Sequence, residues 1–141
     1  MGNFECVLSE CRDGWIPFQD HWYTPHNNRQ NQESAKMECG KENAYLVEIN
    51  SSEENSWIKD TFLTQFGNCS DIWHCSIWIG AEKIDGTFVW SKSGDISDFS
   101  NWLPNEPSGH IEERCVVFTK EGNWNNYPCP KTHWFVCERN I

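Results

Sequence analysis

The chain has no run of apolar residues approaching the roughly 20 that cross a bilayer, and it has no internal repeat, low-complexity tract or linker. A membrane span and a multi-module array are therefore not expected. Positive charge is scarce: 11 Lys and Arg stand against 21 Asp and Glu, for a net charge of -10 at pH 7. That balance argues against nucleic acid or an anionic membrane surface as partner. The five histidines fall at no zinc-ligand spacing, and no nucleophile motif accompanies them. No signal peptide is visible, so the chain is expected to start at its mature N-terminus, with Met1-Gly2 as an expression remnant. The myristoylation pattern fails because Cys6 stands where Ser or Thr belongs.

What is present points outside the cytosol. At 141 residues the chain makes one domain with its own core. Eight cysteines, an even number, suit an oxidising compartment and a disulfide-braced, secreted protein. The sequons Asn50-Ser51-Ser52 and Asn68-Cys69-Ser70 agree with that setting. Nine tryptophans either fill a core that a small domain struggles to fill with aliphatics or stand exposed to stack on a ligand.

Along the chain, the segment GWIPFQDHWY within Cys6 to Tyr23 alternates rings and polar residues and predicts a short hairpin. Thr24 to Gln32 is polar and turn-like. A helix is predicted from about Asn31 to Gly40, with Ala35 and Cys39 on one face. AYLVEI reads as a brief strand. Ser51 followed by Glu54 is a capping-box pattern, and Ile58, Phe62 and Phe66 continue as an apolar stripe on a second helix. After Cys75 the pattern changes to strands: SIWIGA, TFVW, CVVF and HWFVCE. Between the second and third lies Ser91 to Arg114, a connection without periodicity, and loops of that length inside a compact domain are usually functional. The order is an α+β arrangement. The cysteines suggest that Cys39 and Cys137 tie the first helix to the last strand, that Cys115 and Cys129 clamp the strands beyond the long loop, and that Cys69 and Cys75 close a small loop.

The long loop carries NEPSGHIEERC, residues 105–115, in which Glu106, Glu112 and Glu113 crowd together. Carboxylates so placed repel one another unless a cation, a basic partner or water sits among them. Taken with AYLVEINSSEEN, Trp78-Ile79-Gly80-Ala81, Trp124-Asn125-Asn126 and Cys137-Glu138, in this order and with this cysteine spacing, the chain resembles a C-type lectin-like domain over residues 11 to 139. Residues 1–10, with Cys6, form an N-terminal segment before a domain spanning 11–141. The resemblance implies a double-loop α+β fold, two helices and short antiparallel sheets, whose long loop holds Ca2+ with sugar bound directly to the ion.

Residue by residue, Glu106 and Ser108 match the first and third positions of the family's Glu-Pro-Asn motif, Glu113 matches its acid ahead of the cysteine, and Asn125 with Asn126 match its Trp-Asn-Asp motif. These five are the candidate calcium and carbohydrate ligands, and Pro107 is the implied cis proline. Calcium takes about six to eight oxygens from carboxylates, amides and backbone, and a sugar's vicinal hydroxyls can complete that shell. Ser108 is shorter than asparagine, and Asn126 replaces an acid. A second ion position is implied at Glu48, through its backbone carbonyl or its side chain, with Asn50, Glu54 and Glu138, although Glu54 also explains itself as a capping residue. A further ion beside the sugar is not expected, because Arg114 stands where relatives carry an acid.

Glu at the first motif position resembles relatives that prefer mannose, fucose or N-acetylglucosamine, and His110, Tyr127 and His133 are further residues that could shift preference. The expected partners are glycans on glycoproteins or microbial surfaces. The bridge that long-form relatives make from the position of Cys11 cannot form, since Trp22 replaces its partner. Cys11 then pairs with Cys6, with another subunit or with nothing, and a bridge between subunits would make a homodimer or higher oligomer that gains avidity. The rival reading is a calcium-independent domain binding a protein or matrix partner. Catalysis by paired acids is not expected, because acids that share a cation stay ionised and a general acid must keep its proton.

Overall fold

The computed structural model describes residues 14–66, 75–96 and 99–140. Its elements run β1 (Ile16–Phe18), β2 (His21–Gln30), α1 (Gln32–Lys41), β3 (Tyr45–Leu46), α2 (Ser52–Ile58), β4 (Ile77–Ile84), β5 (Thr87–Trp90), β6 (Gly94–Asp95), β7 (Cys115–Phe118), β8 (Trp124–Tyr127) and β9 (His133–Asn140). The strand order is β1-β2-β9-β4-β5-β6, with β3 beside β9, β7 beside β4 and β8 beside β7. Only β4 and β9 pair in parallel among the described strands; the other ladders are antiparallel.

Both helices start where the caps predict. Asn31 accepts the Ser34 amide at 2.8 Å and opens α1, which buries Gln32, Ala35 and Cys39. Ser51 accepts the Glu54 amide at 3.1 Å and opens α2. The capping box is only half formed, because the Glu54 carboxylate takes the Asn50 amide, at 2.9 Å, as its backbone donor. Beyond Ile58 the α-helix passes into a π-helical turn over Lys59–Leu63, and Ile58, Phe62 and Phe66 are all buried, as the stripe predicts.

Two-residue alternation along the strands divides the core. Ile77, Ile79, Val116, Phe118 and Val136 face one cluster, which also holds Ile58, Phe62 and Trp124. Trp78, Val117, Phe135 and Cys137 face a second, with Ala35 and Cys39 of α1. Trp15, Trp78, Trp90 and Trp124 are buried, and Trp22, Trp57, Trp102 and Trp134 pack against these clusters. The described tryptophans therefore belong to the core, and none is an open stacking platform.

The structure corrects four sequence expectations. Thr24 to Gln30 is strand, not turn, because β9 supplies a partner ladder from Tyr23↔Glu138 to His26↔Phe135 that outweighs the segment's polar composition. The strand expected over AYLVEI is only Tyr45–Leu46, and Trp124–Tyr127, read as a motif, is also a strand. The fourth is a short strand, Gly94–Asp95, inside what reads as continuous loop.

Gly80 explains why the Trp-Ile-Gly-Ala run needs its glycine. Its amide donates to the Val47 carbonyl at 2.7 Å, and a Cβ there would lie 2.6 Å from the Leu46 carbonyl oxygen. Disulfides join Cys39 to Cys137 and Cys115 to Cys129. Cys75 is also disulfide-bonded. The expected pairing of Cys69 and the choices for Cys6 and Cys11 lie outside the described residues.

Candidate functional site

The long loop is tied down at both ends before it reaches its acidic tip. On the incoming limb, Trp124 donates its amide to the Asn101 carbonyl at 2.8 Å and accepts the Leu103 amide at 2.9 Å. The Trp124 ring sits among Trp90, Phe99 and Trp102, with centroids 5.4 to 5.8 Å away, and its Nε1 donates to Asn55 Oδ1 at 2.9 Å. Asn55 and Asn101 both donate to the Gly122 carbonyl. On the outgoing limb, Lys83 donates its amide to the Arg114 carbonyl, while the Arg114 guanidinium donates to the Lys83 carbonyl, each at 2.8 Å. Arg114 therefore serves the scaffold at the position where the resemblance places an acid in relatives.

Between these anchors the Glu106–Pro107 bond is cis, and Asn105 before it has φ +68°. Ser108 meets Asn126 of β8: the Ser108 amide donates to Asn126 Oδ1 at 2.9 Å, and Asn126 Nδ2 lies 3.0 Å from the carbonyl of Ser108, 3.1 Å from its hydroxyl and 3.0 Å from the carbonyl of Glu113. The Ser108 hydroxyl donates to Glu113 Oε1 at 2.7 Å. Ser108 and Asn126, both named as candidate ligands, are thus hydrogen-bonded to each other and to Glu113, and they hold the loop on the strand. Asn126 is fully buried.

Two other candidate residues stand differently. Glu106 Oε1 and Asn125 Oδ1 are buried and accept no hydrogen bond among the described residues. Each is the immediate or next neighbour of a member of the Ser108–Asn126 pair. Buried oxygens without donors cost about 1–3 kcal/mol each, and a hard cation is the partner that oxygen donors of this kind suit. The donor set fits calcium, with two carboxylates, Glu106 and Glu113, and one amide oxygen, Asn125.

Of the remaining residues named for this end, His110 is exposed in the loop. Tyr127 and His133 pack edge-on against Trp78, with centroids at 6.4 and 5.0 Å, and His133 is buried. Both rings therefore lie against Trp78 of the second core cluster.

The side chains named for a second ion do not all converge. The Glu48 carboxylate turns to the Lys92 amide at 2.7 Å and the Ser93 hydroxyl at 2.6 Å, while its backbone amide donates to Glu138 Oε1 at 2.9 Å. Asn50 likewise contributes its amide, to Glu54. Glu54 and Glu138 do converge, on a residue that sequence reasoning missed: His21 pairs through Nδ1 with Glu138 Oε2. Tyr23 joins them, its hydroxyl donating to Glu54 Oε2 at 2.5 Å. The Glu138 hydrogen bond raises the pKa of His21, while burial and then the Glu138 charge raise that of Glu54. No local motif marks His21. Its role depends on the β2–β9 ladder, in which Glu138 stands opposite Tyr23, two residues along the same face.

The family model of the lectin C-type domain matches residues 28–139. The chain belongs to the C-type lectin domain family. The human low affinity immunoglobulin epsilon Fc receptor is 32% identical over 137 residues, 94% of this chain and 39% of the receptor. Human C-type lectin domain family 17, member A is 28% identical over 138 residues, 98% of this chain and 34% of that protein. This lectin domain thus spans little more than a third of these curated relatives. Among solved structures, the cow C-type carbohydrate-recognition domain of CD23, determined in the presence of a GlcNAc2Man3 oligosaccharide, has a TM-score of 0.78 at 30% identity, covering 93% of this chain and 96% of that one. Human lithostathine has a TM-score of 0.81 at 20% identity, covering 99% of this chain and 97% of that one, a likeness of fold alone. Domains of this family bind carbohydrate or other ligands and are not enzymes.

Proposed function

We propose that this domain is a calcium-dependent carbohydrate-recognition module of an extracellular protein, binding glycans through an ion held by Glu106, Glu113 and Asn125. Ser108 and Asn126 act as struts that present those three, and the ion supplies the Lewis acid to which sugar hydroxyls bind. The observation that carries this reading is the pair of buried, unpartnered oxygens, Glu106 Oε1 and Asn125 Oδ1, at the cis Glu106–Pro107 loop. The glutamate at position 106 supports a mannose, fucose or N-acetylglucosamine preference, and the relative determined with a mannose-containing oligosaccharide is in keeping with it. The disulfides support an extracellular setting. Calcium sites of extracellular modules fill at dissociation constants of about 10⁻⁴–10⁻³ M, so a set with two carboxylates is sufficient there.

Passage over immobilised mannose and galactose in millimolar calcium, followed by a chelator, tests the reading. Retention on mannose and release by chelation are expected. Flow-through on both resins, with a blank glycan array, would leave the second reading, a calcium-independent domain for a protein partner. That alternative is favoured by one observation: Asn126, in the place of an acid, closes the loop through hydrogen bonds that need no ion.

A further inference from the structure

We propose that Asn50 carries an N-linked glycan, which makes the junction ahead of α2 a modification site; the inference rests on the extracellular setting proposed above. The chain holds two Asn-X-Ser sequons, Asn50-Ser51-Ser52 and Asn68-Cys69-Ser70, and the long-loop site uses neither. Asn68 lies outside the described residues, whereas Asn50 is judged on its surroundings. A glycan is bulky and belongs at the surface, so the asparagine amide and the hydroxyl two positions on must both be reachable.

Asn50 meets these conditions. It is exposed, and so are Ser52 and Glu53 after it. The backbone is extended at Ser51, with φ -152° and ψ 159°, and turns helical only at Ser52. Asn50 engages the fold through its backbone amide, which donates to Glu54 Oε1 at 2.9 Å; among the described residues its side-chain amide makes no hydrogen bond. The helix cap is the Ser51 hydroxyl, which accepts the Glu54 amide at 3.1 Å, and the middle residue of a sequon is free to vary apart from proline. A substituent on Asn50 Nδ2 therefore displaces no contact of the helix start. The donor is a lipid-linked oligosaccharide pyrophosphate of the secretory compartment. The Nδ2–C1 bond to its first N-acetylglucosamine forms as the bond from that carbon to the phosphate oxygen breaks; the lipid pyrophosphate leaves with the electron pair, and Nδ2 gives up one proton. No oxidant or reductant is needed. The glycan then shields the exposed first turn of α2 from protein partners.

The test routes the full chain into the secretory pathway of animal cells behind a cleavable signal. With Asn68→Gln in place to silence the other sequon, the product should lose the mass of one glycan on digestion with an N-glycan amidase, and peptide mapping should find residue 50 converted to aspartate by that digestion. Asn50→Gln and Ser52→Ala, each in the same background, should abolish the mass step, and Ser52→Thr, which keeps the hydroxyl, should retain it. Cell-free translation into microsomes reads the same step without requiring any variant to fold or be secreted. The signal fixes the compartment, so a failure to glycosylate is told apart from a failure of the extracellular setting, and the mannose column tests the calcium reading separately. An unmodified Asn50 in chains that have reached the lumen, or a mass step that survives in Asn50→Gln or Ser52→Ala, would overturn the proposal.

Discussion

Ser108 and Asn126 hold each other through reciprocal bonds: the serine amide donates to the asparagine side-chain oxygen at 2.9 Å, and the asparagine nitrogen donates to the serine carbonyl at 3.0 Å. A loop residue beside a cis proline is thereby fixed to a strand that is itself clamped to β7 by the Cys115–Cys129 disulfide and its ladder. The consequence is a division of labour among the five candidate ligands, with two acting as struts and three presenting oxygens.

Asn126→Asp replaces a donor by a carboxylate against the carbonyls of Ser108 and Glu113. Without calcium the variant should lose about 1–3 kcal/mol of stability, because those carbonyls and the new charge are left facing one another. With calcium the added charge should attract the ion, so calcium should raise the variant's melting temperature more than the parent's. Thermal denaturation in chelator and in millimolar calcium measures both. A loss that calcium does not reduce would count against an ion at this loop.

Glu106→Gln keeps shape and removes one of two carboxylates. Calcium affinity should fall about tenfold or more, equivalent to about 1.4 kcal/mol, and mannose retention at limiting calcium should disappear. The fold in chelator should be unaffected or slightly steadier, since a buried unpaired carboxylate has been neutralised. Binding equal to the parent's at limiting calcium would show that Glu106 is not a ligand.

Chelation of the parent should itself be visible. An ion present at about tenfold its dissociation constant stabilises a domain by about 1.4 kcal/mol, which corresponds to a fall of about 3–6 °C in melting temperature on its removal from a chain this size. Glu106→Gln should show a much smaller fall. Matching falls in both proteins would place the calcium elsewhere.

Asn55→Leu tests the frame behind the loop. It leaves the Trp124 indole N–H without its acceptor and the Gly122 carbonyl with one donor fewer, at a cost of about 1–3 kcal/mol. Chemical denaturation gives that cost. Calcium titration should show weaker binding, because Trp124 sets the strand on which Asn125 stands. An unchanged calcium affinity alongside reduced stability would separate the frame from the site.

The two described disulfides should differ in weight. Residues 98 apart are joined by Cys39–Cys137 and residues 14 apart by Cys115–Cys129, for which loop-closure entropy gives about 4.7 and about 3 kcal/mol. Double replacement by alanine at 39 and 137 should therefore lower stability more than replacement at 115 and 129, whereas sugar retention should suffer more from the second pair. Urea denaturation and the mannose column distinguish the two effects.

Residue order alone is enough for the features that depend on near neighbours. Asn31 and Ser51 start helices because a cap bonds a residue three positions on. Ile58, Phe62 and Phe66 are apolar at a regular spacing and all reach the core, although a π-helical turn replaces the α-helix after Ile58 and Phe66 lies beyond it. The five motifs, in order, were sufficient for the family. Tertiary structure decided what depends on distant partners. Thr24 to Gln30 became strand because β9 lay alongside it, and the Glu48 carboxylate was drawn to the Lys92–Ser93 turn and away from Glu54 and Glu138. His21 reached Glu138, 117 positions along the chain, through a ladder that no local pattern reveals. The division between struts and oxygen donors at the long loop has the same origin: a motif specifies which side chains are present, but hydrogen bonds formed across the fold determine which of their atoms remain free to bind.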